Sequence, residues 1–343
     1  MFKYEQEYAR KYIDSTLGSP YTVYKNGVIA NLVADLGAQS VFDLGGNVSG
    51  LMKMEGSLRF QLAKKGITYN GIDLVPEYFS TNFAQTLNVP DKYIYAQSNG
   101  TVGDILKLPY KSNSIDMTVC ADVIEHIPNP QDALTEMHRV LSPNGKALVV
   151  IPSLYKLDAI KVPHIIAGRY SSHENRLLIS EWVQMLQDTG FNINMNYSQP
   201  LGIASGLLYT SWLDKDYVPT KEGPDSEEVF SEGASLFRKA KSSVGKVDGT
   251  IDKHLLQNPQ TMEIIRRRFY ECDIKGVLEL VENAYNMTGA TPSKELHDIV
   301  QKFDNRSIPI KALSQLRETI MSSNEAITDN AFFGNAALLV LSK

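Results

Sequence analysis

At 343 residues the chain is long enough to bury a full core, either as one large domain with additions or as two smaller ones. Composition is that of an ordinary globular protein, and a net charge of −5 with an isoelectric point near 5.8 argues against a nucleic-acid or anionic-membrane partner, which a basic stripe would favour. Cys120 and Cys272 are too few for a disulfide framework or a metal knuckle, no apolar run reaches the ~18 residues of a membrane span, and the first residues lack a signal-peptide apolar region, so a cytoplasmic protein is expected.

Residues 1–36 read as helical, with Tyr4, Tyr8 and Tyr12 on one face. Such a stripe is either core packing or an aromatic lid over a pocket. Val28, Ile29, Leu32, Val33 and Leu36 continue a helical face that stops at Gly37. Val41–Leu44 then reads as a buried strand, and Gly45-Gly46-Asn47 turns the chain with almost no side chain in the way, as positive φ and close approach of a ligand both require. A purely structural turn is the competing reading of that tripeptide. Ser57 is a candidate cap for a helix running to Gly66, and Thr68–Ile72 is a second strand ended by Asp73. The order strand, helix, strand with an acid at the second tip describes a nucleotide-binding unit. A carboxylate there offers two acceptor oxygens to the hydroxyls of a ribose; otherwise Asp73 is a loop or capping aspartate.

Residues 92–97 are expected to form the third strand, followed by a loop carrying Gly103, Asp104 and Ile105. Ile115–Ala121 is the fourth strand, and Asp122, Glu125 and His126 directly after it collect at the edge where doubly wound sheets place ligands. Asn129-Pro130 starts a helix that Pro143-Asn144-Gly145 is expected to stop, and Lys146–Ile151 is a fifth strand, apolar throughout as burial on both faces requires. A helix near 180–189 and a strand near 191–197 follow. From 200 to 330 the pattern is mostly helical, with Arg266-Arg267-Arg268 read as a solvated face, and Ala336–Leu341 is a last strand that must return to the sheet.

These pieces together resemble the class I S-adenosylmethionine-dependent methyltransferase family, over roughly 30–200 plus 336–343. Asp43-Leu44-Gly45-Gly46-Asn47 resembles its first motif, departing at Asn47 and Ser49, where the family commonly has glycine. Asp73 stands where the ribose-binding acid is found, Gly103-Asp104-Ile105 resembles the adenine-contacting segment, and Asp122-Val123-Ile124-Glu125-His126 resembles the fourth motif of the subgroup that includes the ubiquinone-pathway methyltransferases. The resemblance implies an α/β fold: a doubly wound, seven-stranded, mostly parallel sheet of Rossmann-like type whose antiparallel last strand lies between the fifth and sixth. It divides the chain into an N-terminal helical lid over 1–36, a cofactor-binding core over 37–200 plus 336–343, and a helical insertion over 201–335 that caps the substrate or forms a homodimer contact. Asp43, Gly45, Gly46, Asn47, Asp73, Leu74, Asp104, Ile105 and Asp122 are the cofactor-binding candidates for S-adenosylmethionine and its product S-adenosylhomocysteine.

Methyl transfer from a sulfonium needs placement and exclusion of water, and a base only if the nucleophile arrives protonated. His126 is the first candidate base, with His173 and His164 the others at the same sheet edge. Asp122, Glu125 and His126 with a later histidine form a set able to hold a divalent metal that orients a hydroxyl. The expected acceptor is a small molecule, quinone-like or a secondary metabolite, methylated on O, N or C, with Ile203, Leu207, Leu208, Tyr209, Trp212 and Leu213 either lining its pocket or forming a packed helix face. Three alternatives stand beside this: a metal-assisted O-methyltransferase, a nicotinamide-dependent dehydrogenase, and a binding module without turnover.

Overall fold

The structure, a computed structural model, describes residues 19–87, 89–97, 99–152, 177–202 and 336–343, with single positions and short runs elsewhere, among them 9, 13, 17, 252–253 and 255–258. Two compact units divide the chain: Met1–Ile151 with Val183–Ser198 and Leu338–Lys343, and Pro152–Trp182 with Gln199–Ala337.

In the first unit helix α1, Pro20–Asp35, opens with proline in its first turn, where the missing N–H costs nothing. Strand β1 is Ser40–Leu44, helix α2 Leu58–Ala63 and strand β2 Thr68–Asp73. As expected, Ser57 caps α2, its Oγ accepting from the Phe60 N–H at 3.3 Å. Helix α3 is Thr81–Gln85, strand β3 Gly100–Val102, strand β4 Ile115–Ala121, helix α4 Pro130–Val140 and strand β5 Leu141–Pro152. Helix α5, Ile179–Asp188, is followed by strands β6, Asn192–Ile193, β7, Gln199–Leu201, and β8, Ala336–Ser342.

Seven strands lie along one path in the order β3-β2-β1-β4-β5-β8-β6. The first five pair in parallel, and β8 runs antiparallel to β6, with Asn192 opposite Ser342. The C-terminal strand thus returns between the fifth and sixth, as its apolar run demanded. No polar residue interrupts the second half of β5: Ala147, Leu148, Val149, Val150 and Ile151 are all fully buried, as a strand covered on both faces requires.

The sheet has eight strands rather than seven, because β7 also pairs with β8, and the strand expected near 191–197 is only Asn192–Ile193. Two elements among the first five strands also differ from expectation. The third strand is not 92–97 but Gly100–Val102. After Pro90 the chain makes a 3-10 turn over Asp91–Tyr93, Ile94 bridges to Met52 and is buried, and Tyr95 lies under Arg59, whose guanidinium carbon stands 3.8 Å from the ring centroid. The Arg59 Nη1 donates to the carbonyls of Gly50 and Gln97 at 2.8 and 3.0 Å. Local packing therefore claims 92–97, while Gly100 lies against Phe79, where a Cβ would approach the ring to 2.1 Å. The second difference is that β5 begins at Leu141 rather than Lys146: Leu141 pairs with Ile115, Lys146 pairs with Met117, and an irregularity in the register absorbs Pro143-Asn144-Gly145.

Ala9, Ile13 and Leu17 are buried in one cluster with Val48, Leu51, Met52, Tyr78 and Phe83, so four-residue spacing does bring part of the N-terminal segment into the core. Tyr4, Tyr8 and Tyr12 lie outside the described residues. In the second unit, the buried Gly202 N–H donates to an Asp252 carboxylate oxygen at 2.7 Å.

Candidate functional site

The strand order reverses direction between β1 and β4, and in open α/β sheets ligands bind in the crevice beyond the carboxyl ends at that point. Both strands end there in unusual backbone. Gly45 has φ 78° and Asn47 φ 39°, and Asp122, just past β4, has φ 56°. The Gly45 N–H donates to the Ile72 carbonyl at 2.8 Å, tying the turn to β2. A Cβ on Gly45 would stand 2.6 Å from a Val123 methyl, and one on Gly46 would stand 2.4 Å from the Tyr69 hydroxyl and 2.9 Å from an Asp43 carboxylate oxygen. Both glycines are thus demanded by contact. Asn47 steadies its own conformation by accepting the Ser49 N–H on Oδ1 at 2.8 Å.

Asp73, at the tip of β2, is held from two sides. Its Oδ2 accepts the Asn47 N–H at 3.0 Å and its Oδ1 the Val75 N–H at 3.1 Å. A carboxylate offers about four acceptor sites, so one oriented by two amides can still serve a pair of hydroxyls. Leu74, next in the chain, is 63% exposed, and Val102 and Leu106 are likewise exposed apolar side chains. Asp104 accepts the Leu106 N–H at 2.9 Å, shaping the loop, whereas the Ile105 side chain is buried. The apolar surface of this edge therefore comes from Leu74, Val102 and Leu106, of which sequence reasoning singled out only the first.

Asp43 is buried and accepts a hydrogen bond from the Tyr69 hydroxyl at 3.0 Å. Burial pushes its carboxyl up to about 7, Tyr69 opposes this, Asp73 adds to it and Lys25 opposes it. Past β4, Asp122 binds the ammonium of Lys25 from α1, whose side chain is 8% exposed against 41% for Asp122. Glu125 is fully buried, and among the described residues neither of its carboxylate oxygens has a hydrogen-bond partner. Burial, followed by the charge of Asp122, pushes Glu125 up to about 8, with Lys25 acting the other way. Its Oε1 lies 4.0 Å from the Nε2 of His126, a side chain 35% exposed. Burial also pushes the Cys120 thiol up, which makes it an inert core group.

The metal expectation is corrected here. Among the described residues no three His, Cys, Asp or Glu side chains come together to hold an ion. Asp122 is taken by the Lys25 ammonium, and Glu125 is dry and held toward its neutral form. His173 and His164, and the apolar residues 203–213, lie outside the described residues. Lys25 carried no signal in the sequence, since its partner is 97 positions away.

This edge carries a turn that admits no side chain at Gly45 or Gly46, a carboxylate held by two amides, three exposed apolar side chains and, among the described residues, more carboxyls than cations. Residues 54–149 match the family model described as "Methyltransferase domain". The chain is 28% identical over 130 residues to the ubiquinone/menaquinone biosynthesis C-methyltransferase UbiE of Ruegeria sp., covering 32% of this chain and 51% of that one, so it spans about half the length of that relative. It is 31% identical over 179 residues to the 2-phytyl-1,4-naphtoquinone methyltransferase of Nostoc sp., covering 45% of this chain and 73% of that one. Among solved structures, a TehB-like SAM-dependent methyltransferase from Corynebacterium glutamicum matches at 17% identity with a TM-score of 0.38, over 57% of this chain and 87% of that one.

Proposed function

This chain belongs to the class I S-adenosylmethionine-dependent methyltransferase family, and we propose that it transfers the methyl group of that cofactor to a small-molecule acceptor of quinone-like or secondary-metabolite type. The observation that carries the cofactor reading is Asp73, oriented at the tip of β2 by the Asn47 and Val75 amides as a carboxylate for a ribose diol must be. The residues fit the cofactor: Gly45 and Gly46 carry the chain through a tight turn in which Val123, Tyr69 and Asp43 leave no room for a side chain, Leu74, Val102 and Leu106 offer exposed apolar surface for a base, and Asp73 offers the carboxylate. Family membership replaces the nicotinamide dehydrogenase alternative.

When bound, S-adenosylmethionine supplies a methyl group already activated on sulfur, ready for in-line displacement by a placed nucleophile. His126, partly exposed beside Glu125, is the residue we assign to take the proton of an acceptor that arrives as a phenol or hydroxyl. Residues 1–36 serve as a lid and 201–335 as a substrate cap or homodimer element. We read the protein as cytoplasmic, without nucleic-acid or membrane partners; among the described residues no helix is long and apolar enough to cross a membrane.

The test is incubation with methyl-labelled S-adenosylmethionine and a panel of demethylated naphthoquinols, catechols and amines, with products read by mass spectrometry. A labelled quinol or phenol product that His126→Ala slows by about 10²-fold or more supports the reading. Transfer to none of them by protein that binds the cofactor would favour a binding module.

A further inference from the structure

Among the described residues one lysine stands within the carboxyl groups of this crevice, and its role is assigned by nothing above. Lys25 comes from α1, is nearly buried, and forms an ion pair with Asp122 at the end of β4. The pair joins α1 to the residue that follows β4, where Asp122 holds a backbone φ of 56°. Glu125 is the second mark of a built site: a fully buried carboxyl with neither oxygen hydrogen-bonded among the described residues. Asp73 adds a further acid to the same edge. A ligand entering between β1 and β4 therefore meets the Asp73 carboxylate and the Lys25–Asp122 ion pair, with the buried carboxyls of Asp43 and Glu125 behind them.

We infer that Lys25 is a specificity-determining residue, the resident counter-charge that sets how strongly the site prefers a sulfonium cation over the neutral thioether it becomes. This rests on the cofactor reading given above. The two ligands share every atom except those of the methyl group, so shape and hydrogen bonding treat them nearly alike, whereas the local field does not. A fixed ammonium lowers affinity for the cation and leaves the neutral product almost untouched. Keeping that preference small prevents the charged cofactor from resting too deeply in its site before transfer.

The experiment is calorimetric titration of the full chain with S-adenosylmethionine and S-adenosylhomocysteine, for wild type, Lys25→Met, Lys25→Arg and Asp122→Asn. The readout is the ratio of the two affinities, which a loss of stability or of helix packing changes little because it affects both ligands together. Removing one unit charge from a partly desolvated crevice should raise the preference for the cofactor by about tenfold or more in Lys25→Met. Lys25→Arg should keep the wild-type ratio, and Asp122→Asn, which removes the opposite charge, should lower it. If Lys25→Met does not fold, Lys25→Gln carries the test: a raised ratio sustains the inference and an unchanged one overturns it. Binding of both ligands with the same ratio in Lys25→Met as in wild type overturns this inference alone. Binding of neither ligand by wild type defeats the cofactor reading and this inference with it.

Discussion

Replacing Glu125 by glutamine tests the electrostatics of the crevice without any ligand. The side chain is fully buried, with Asp122, Lys25, His126 and Cys120 around it, and its carboxyl is raised from 4.5 to about 8. A carboxyl with a raised folded-state pKa keeps its proton in the native chain after the unfolded chain has released it. Its contribution is therefore fully present below pH ~4.5 and is lost as pH rises through ~8. Between pH ~5 and ~8.5 the shift corresponds to about 4 kcal/mol of wild-type stability lost, taken as an upper figure. Asp43, raised from 3.8 to about 7, tilts the curve the same way over a slightly more acid window. Glu125→Gln removes the ionisation but leaves a buried amide whose hydrogen bonds cost about 1–3 kcal/mol if unmade. The variant should thus be less stable than wild type near pH ~5 and more stable near pH ~8.5. Urea unfolding across this pH range reads the effect directly as a crossing of the two curves. Parallel curves across the whole range would refute the reasoning.

Gly46→Ala should cost about 1–3 kcal/mol in urea unfolding, because its methyl would displace the Tyr69 hydroxyl from Asp43 and leave a buried carboxyl without its donor. Tyr69→Phe removes the same donor by another route, so it should raise the Asp43 pKa further and add less than its own full cost when combined with Gly46→Ala, a non-additivity that a double-mutant cycle measures. Gly100→Ala should destabilise by about 1–3 kcal/mol through its clash with Phe79, and Phe79→Leu in the same chain should recover part of the loss.

Much of the site was legible because it is local. The glycine turn, the acid at the tip of β2 and the polar group after β4 each announce themselves within a few residues, and each stands where the periodicity put it. The third strand was misplaced for a physical reason. Lys92-Tyr93-Ile94-Tyr95 alternates as a strand would, but Pro90 opens a turn and the side chains are claimed by Met52 and Arg59. The real strand is three exposed residues beginning with glycine, which propensity would pass over; the glycine is required because the Phe79 ring leaves no room for a Cβ. Pro143-Asn144-Gly145 reads as a helix stop, yet the sheet takes it up as an irregularity between two paired stretches. The Lys25–Asp122 pair could not be read at all, since nothing local to α1 distinguishes a lysine bound for a buried crevice from one that stays in water. Glu125 is similar: a glutamate on a short 3-10 turn reads as solvated, and only the packing of that turn after β4 shows it dry.

We propose that the carboxyl edge of β1, β2 and β4 holds an adenosyl cofactor through Asp73. Calorimetric titration of wild type and Asp73→Ala with S-adenosylmethionine, S-adenosylhomocysteine and NADH tests it most directly. Losing the two charge-assisted hydrogen bonds to the ribose should weaken both adenosyl ligands by at least ~30-fold in the variant, with no NADH binding by either protein. Wild-type binding of NADH without the adenosyl ligands, or adenosyl binding that Asp73→Ala leaves unchanged, would contradict the account.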